Sequence, residues 1–260
     1  MQAPMKITSR SNPLIQRLRK LAREPGAYRL AGEVWIEGDH LVTALHQRGF
    51  RAKQYVMADS AWASPRLKAL ADACDQVVRV PDQLFDSISG LVSPARIGCI
   101  LCIPAAAEVL PGVTSLILDR LQDAGNVGSI LRSAAAFGVN QILALQGTTA
   151  LWSAKVLRAG MGAHFSLRLV EGLRSADLVT LQVPWVGTSS HALTAIDMAR
   201  LPNPCAWVFG HEGQGVAAEM LSQCSLVVGI RQPGGGESVN VAAAAAICLH
   251  ESARQRVQGS

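Results

Sequence analysis

At 260 residues the chain has room for one large domain or two small ones, and an apolar share of 49% is enough to bury a full core. No run reaches the ~18 apolar residues of a membrane span, and no apolar segment follows the charged N-terminus, so neither a transmembrane segment nor a secretory signal is expected. The net charge of +5 comes from 24 basic residues, of which only five are lysine. An arginine-weighted balance suits two-point contact with phosphate and is compatible with a nucleic-acid partner; an ordinary solvated basic surface has the same composition.

The first hundred residues alternate helix and strand signals. "SNPLIQRLRKLARE" opens on a Ser-Asn cap before Pro13 and spaces Leu14, Leu18, Leu21 and Ala22 along one helical face, with Arg17, Lys20 and Arg23 off it. "EVWIEG" reads as a strand and "DHLVTALHQRG" as a helix closed by Gly49. "KQYVMA", "DQVVRV" and "IGCILCIP" are further strands, with "SPRLKALADAC" and "PDQLFDSISG" as helices between them. This makes a small α/β domain over residues 1–103. Cys99 and Cys102 form a C-x-x-C inside a strand, and no second Cys/His pair stands at zinc spacing, so no metal site is expected. Most of the other cysteines lie in apolar runs, as buried free thiols do, and the reading is a soluble cytoplasmic protein.

A proline-bearing stretch with no strong period, residues 104–113, reads as a linker. Residues 114–260 form a second α/β domain. Its strand candidates are "SLILDRL", "QILAL", "PWVGTSS", "CAWVFG" and "SLVVGI". Its helix candidates are "VGSILRSAAAFG", "LWSAKVLRAGMGAHF", "GVAAEMLSQC" and "SVNVAAAAAICLHESARQR". Apolar, β-branched strands alternating with helices argue for a parallel sheet covered on both faces. Ligands of such sheets collect beyond the carboxyl ends of the strands. Those ends fall at Asp123–Gly128, Gly187–Ser190, Gly210–Gly215 and Arg231–Asn240, all glycine-rich or polar.

Three of these loops could carry chemistry. In "LDRLQDAGNVGSILRSAAAFG" a strand enters, Asp123 to Gly128 turn, and a helix leaves, with Asn126 at its mouth and Arg132 about one turn in. The alternative is a capped helix with one exposed arginine. In "FGHEGQGV" three glycines hold Glu212 in a tight turn, where its carboxylate could hold an arginine or accept from a sugar hydroxyl. The alternative is a turn acid at a helix N-terminus. In "PGGGESVNVAAAAAICLHE" three glycines let backbone wrap a ligand, Ser238 and Asn240 offer small polar groups, and Val239, Ala242, Ala243 and Ala246 make a slim helix face. The alternative is an N-cap followed by a well-packed alanine helix. A dinucleotide site is disfavoured because G-x-G-x-x-G and the later acidic residue are both absent.

Together, in this order and spacing, "DAGNVGSILRSAAAFG", "GHEGQG" and "IRQPGGGESVNVAAAAAI" resemble the three motifs of the SpoU/TrmH branch of the SPOUT RNA methyltransferases. "AKVLRAGMGAHF" is similar to the stretch between the first two, and "RSNPLIQRLRKL" with "VWIEGDHLV" resembles the L30e-like substrate-binding module that often precedes the catalytic domain. The resemblance implies a parallel sheet with a deep trefoil knot, one of the rare exceptions to unknotted topology. It implies S-adenosyl-L-methionine as cofactor, held by Thr188, Gly210, Ile230 and Val239. The implied reaction is methyl transfer to a ribose 2′-hydroxyl of RNA, ribosomal rather than transfer RNA, in a homodimer. Arg132 would hold the target phosphate and hydroxyl, Asn126, Ser238 and Asn240 would position them, and Glu212 would brace the group. Arg132 could serve the partner's cofactor. Departures from the family pattern are Ala124 for proline, His211 for asparagine or a small residue, Gly160 for serine, and Arg231 beside the cofactor loop. The rival readings are a non-catalytic RNA-binding protein of the same fold and a nucleotide-dependent oxidoreductase.

Overall fold

The structure is a computed structural model that describes residues 4–72, 74–103, 107–235 and 238–258. Contacts divide the chain into two units, Met1–Ala105 with Trp152–Phe165, and Ala106–Leu151 with Ser166–Ser260.

The first unit carries a five-stranded mixed sheet. Its strands are β1 (Met5–Lys6), β2 (Glu33–Glu37), β3 (Gln54–Ala58), β4 (Val77–Val80) and β5 (Ile97–Cys102), in the order β1-β4-β3-β5-β2. Helices α1 (Pro13–Arg23), α2 (Ala27–Ala31), α3 (Asp39–Gln47), α4 (Asp59–Trp62), α5 (Pro65–Ala71) and α6 (Asp82–Ile88) connect them. Helix α1 starts where the Asn12 side chain accepts from the Leu14 N–H at 2.9 Å. Its buried face is Ile15, Leu18 and Leu21, and Leu14 is only half-buried; residues three apart lie on the same side of a helix. Cys99 is buried and Cys102 exposed, because residues three apart in a strand point to opposite faces. Helix α8 (Ala154–Gly160) also belongs to this unit, packing on β2 and α1 with Val156 and Leu157 buried. The stretch "LWSAKVLRAGMGAHF" is thus a shorter helix than its composition suggests. It ends at Met161 and Gly162, both left-handed (φ +48° and +90°), followed by a 3-10 turn at Ala163–Ser166. A side chain at Gly162 would run into Ala44 of α3.

The second unit is an all-parallel, seven-stranded sheet in the order β10-β12-β9-β11-β6-β7-β8. Its strands are β6 (Ser115–Asp119), β7 (Gln141–Leu145), β8 (Arg168–Leu173), β9 (Trp185–Thr188), β10 (Thr194–Ala195), β11 (Ala206–Gly210) and β12 (Leu226–Gly229). Its helices are α7 (Ala124–Ala136), α9 (Ala218–Ser222) and α10 (Val241–Gln258). The central strands β6, β7 and β11 are wholly buried and read as apolar runs, as strands covered on both faces do. Strands β8 and β10 escape a sequence reading because both are sheet edges; Arg168, Glu171 and Gly172 blunt the first of them. One face packs Ile117, Leu143, Ala206 and Val208 under Leu178, Leu181 and Met220. On the other, Trp207 and Phe209 stack, and the Trp207 indole donates to Ser252 of α10 at 2.9 Å.

Two element boundaries differ from the sequence reading. Helix α7 begins at Ala124, not after Gly128, because the Asp123 carboxylate caps the Asn126 N–H at 2.7 Å and the glycines are helical. Arg132 therefore lies about two turns in rather than one. In α10 the buried stripe is Ala245, Cys248 and Leu249. Ala242 and Ala246 are half-buried and Ala243 is exposed. In an alanine run the two larger apolar residues decide which side turns inward. Of the proposed linker, residues 104–106 lie outside the described residues, as do residues 236 and 237 of the triple-glycine loop.

Candidate active site

The carboxyl ends of β6, β9, β11 and β12 open onto one cavity of about 620 Å³. Each loop contributes to its wall: Asn126 after β6, Thr188–Ser190 after β9, the turn 210–216 after β11, and Ile230, Gln232 and residues 238–241 after β12. The sheet explains why. Asp119 and Gly210 pair at the last position of neighbouring strands, so the loops leaving β6 and β11 start level and side by side.

At Gly210 the chain approaches itself closely. A Cβ there would lie 2.1 Å from the Gly215 carbonyl carbon and the Val216 nitrogen. Only glycine allows main chain to form that wall. Beyond it, the Gly215 N–H donates to the His211 carbonyl at 2.7 Å and closes the turn, lifting Glu212 toward the loop after β6.

Glu212 accepts from the main-chain N–H groups of Asp123 (3.0 Å) and Gln122 (3.1 Å) and from the Asn126 side-chain amide (3.2 Å). Partial burial works against its charge, but these donors outweigh it and hold the carboxyl below the usual carboxylate range. The Asn126 oxygen in turn accepts from the Asn240 amide at 3.0 Å. The Asn240 oxygen accepts from the N–H groups of Ala242 (2.9 Å) and Ala243 (3.3 Å), capping α10. A carboxylate can only accept, so it turns the Asn126 NH₂ toward itself and the Asn126 oxygen away. That oxygen turns the Asn240 NH₂ inward and leaves its oxygen for the helix. One charge orients three segments that are distant in sequence.

Among the described residues, Asn126, Glu212 and Asn240 are linked directly. Ser238, Thr188, Gly210, Ile230 and Val239 line the same cavity, and the Thr188 hydroxyl donates to the Val208 carbonyl at 3.1 Å. Arg132 does not line it; it is exposed on α7, and its guanidinium makes no hydrogen bond or ion pair to another described residue. Arg231 pairs with Asp197 at 3.4 Å and is likewise off the cavity wall.

The profile of the SpoU rRNA Methylase family matches residues 114–250. The chain belongs to the SpoU rRNA methylase family. An uncharacterized tRNA/rRNA methyltransferase of Synechocystis sp. is 32% identical over 272 residues, covering 96% of this chain and 94% of its own length. The 23S rRNA (guanosine-2′-O-)-methyltransferase RlmB of Bordetella pertussis is 34% identical, covering 85% of this chain and 97% of its own. The crystal structure of the SpoU methyltransferase AviRb from Streptomyces viridochromogenes, in complex with AdoMet, superposes with a TM-score of 0.86 at 22% identity, covering 96% and 100% of the two chains, and shares the fold.

This SpoU methylase chain also holds a charged pair at the end of β6 that its motifs do not advertise. Buried Asp119, ending β6, accepts from the Arg120 Nε and the Ala217 N–H, both at 2.8 Å. Arg120 adopts a left-handed backbone (φ +60°) and donates to the Gln214 side chain at 3.2 Å. The hydrogen bond and charge of Asp119 raise the Arg120 guanidinium further above its ordinary range. The pair ties the first loop to the second. Its sequence signal is only a charged dipeptide at the end of an apolar strand, which many strands share.

Proposed function

We propose that the chain transfers a methyl group from S-adenosyl-L-methionine to a ribose 2′-hydroxyl of structured RNA, ribosomal rather than transfer RNA. The observation that carries this reading is the hydrogen-bonded line Glu212–Asn126–Asn240 on the wall of a cavity whose other wall is main chain at Gly210. The volume suits a small-molecule ligand, for which ~300–1,000 Å³ is usual, and the glycine wall and small polar lining fit this cofactor. Thr188, Gly210, Ile230 and Val239 would hold it. When bound, it supplies an electrophilic sulfonium methyl. Membership of the family, and the 2′-O-methylation of 23S rRNA named for the Bordetella relative, support the substrate.

The chain's own residues then have separable tasks. Catalysis of an in-line attack by a hydroxyl oxygen rests on orientation. Asn126, Ser238 and Asn240 orient the hydroxyl, and Glu212 locks the two amides. Arg132 binds the phosphate and hydroxyl of the target nucleotide; a guanidinium remains protonated and so orients rather than removes the proton. Its position off the cavity wall supports service to the site of a second copy in a homodimer. Residues 1–103 act as an L30e-like RNA-binding module, 104–113 as linker and 114–260, less the segment 152–165 that packs with the first unit, as catalytic domain, with the C-terminal segment threaded as a trefoil knot. RNA as substrate and six free thiols support a cytoplasmic location.

The test is transfer of labelled methyl to rRNA, with the modified nucleotide mapped. Arg132→Ala is expected to bind cofactor as the wild type does and to lose at least a hundredfold in transfer, since a charged oriented contact is removed from the transition state. Mixing it with a Gly210→Val chain should restore activity if Arg132 acts across subunits. Cofactor binding without transfer to any RNA would favour a non-catalytic binding protein. Transfer to tRNA alone would overturn the choice of substrate.

A further inference from the structure

The turn that carries Glu212 is closed by a side chain as well as by main chain. The His211 Nδ1 accepts from the Gly213 N–H at 3.0 Å and from the Gln214 N–H at 3.3 Å. The His211 carbonyl accepts from Gly215, and the two residues form an isolated antiparallel bridge. His211, Gly213 and Gln214 all line the cavity. We propose that His211 is a positioning residue of the cofactor loop: its ring nitrogen is the acceptor that folds residues 211–214, and it sets cofactor affinity rather than the rate of methyl transfer.

The chemistry follows from the inventory of an imidazole. An Nδ1 that accepts two N–H groups carries no proton, so the neutral ring is held as the Nε2–H tautomer. The ring has then spent its acceptor on the turn and keeps one donor, at Nε2. Without the acceptor, the Gly213 and Gln214 N–H groups lose their partner and the stretch of cavity wall they form loosens, while Glu212 keeps its own bonds to Gln122, Asp123 and Asn126. Asparagine can substitute, because its side-chain oxygen occupies the same δ position as the imidazole Nδ1 and accepts in the same way. Alanine cannot.

The inference rests on the proposed cofactor site, and its test separates the two. Binding of S-adenosylmethionine is measured by calorimetry on the full chain, with thermal melting to verify folding. His211→Ala is expected to weaken binding roughly tenfold, the size of losing one or two neutral hydrogen bonds, and His211→Asn to stay within about twofold of the wild type. With saturating cofactor, kcat for both variants should stay within about twofold, so the loss falls on KM. Independently, ¹⁵N NMR of the histidine-labelled wild type at pH 8 should show one ring, absent in His211→Asn, with an unprotonated, hydrogen-bonded Nδ1 and a protonated Nε2. Equal affinity in His211→Ala, an asparagine variant as weak as the alanine variant, or an Nδ1–H tautomer at His211 would overturn the proposal. A wild type with the Nε2–H tautomer that binds no S-adenosylmethionine would leave the turn as described and overturn the cofactor site instead.

Discussion

Glu212 gives the site its polarity, and its replacement separates charge from shape. In Glu212→Gln one oxygen becomes an NH₂ facing N–H groups that need an acceptor. Glu212 is exposed, so a donor set against donors there costs less than the ~1–3 kcal/mol of a buried one, and urea denaturation should register a small fall in midpoint with unchanged slope. The folded carboxyl is held low by hydrogen bonds from Asp123, Gln122, its own N–H and Asn126, so its contribution to stability is fully present above the unfolded value, near 4.3. It is lost as pH falls through the lower folded value. Stability measured from pH 6 down to pH 3 should fall more steeply in the wild type than in Glu212→Gln. A glycine-rich turn with one acid was legible in the sequence. That its partners would be Gln122 and Asp123 main chain was not, because a backbone N–H belongs to every residue and carries no signature.

At the scale of elements, α7 and α10 are joined through Asn240, which caps one helix and reaches into the first turn of the other. The two tasks use opposite ends of one amide. Asp caps a helix about as well as Asn, but it presents only acceptors, and its second oxygen would face the Asn126 oxygen. Asn240→Asp should therefore melt near the wild type while losing transfer. Asn240→Ala should lose transfer and also about 0.5–2 kcal/mol of stability. The central strands were readable because both faces are covered and the runs are uniformly apolar. The start of α7 was misjudged because Gly125 and Gly128 signal a turn locally, whereas the Asp123 cap and helix packing absorb both. The inward face of α10 was misjudged because five successive alanines have no amphipathic signal of their own.

At the scale of the molecule, the segment 152–165 matters most for dissection. It lies within the C-terminal half in sequence and packs in the N-terminal unit, where Val156, Leu157 and Phe165 are buried. Removing residues 1–103 strips their cover, and each such side chain left in water forfeits about 1.5–3 kcal/mol. The truncated chain should bind a hydrophobic dye and elute as aggregates in gel filtration. Polar substitutions at Val156, Leu157 and Phe165 should restore its elution. A well-behaved truncated chain without them would show that the segment finds other cover.

The sequence by itself determined the fold class, the apolar central strands, the four strand-end loops and the polar residues that could meet there, because burial period, glycine and short polar side chains act locally. Tertiary structure alone decided which of those residues meet. It joined Asn126, Glu212 and Asn240, left Arg132 on the outside, and assigned residues 152–165 to the other unit. Hydrogen bonds between loops as much as 114 positions apart depend on how strand ends line up across a sheet, and no local pattern encodes that alignment.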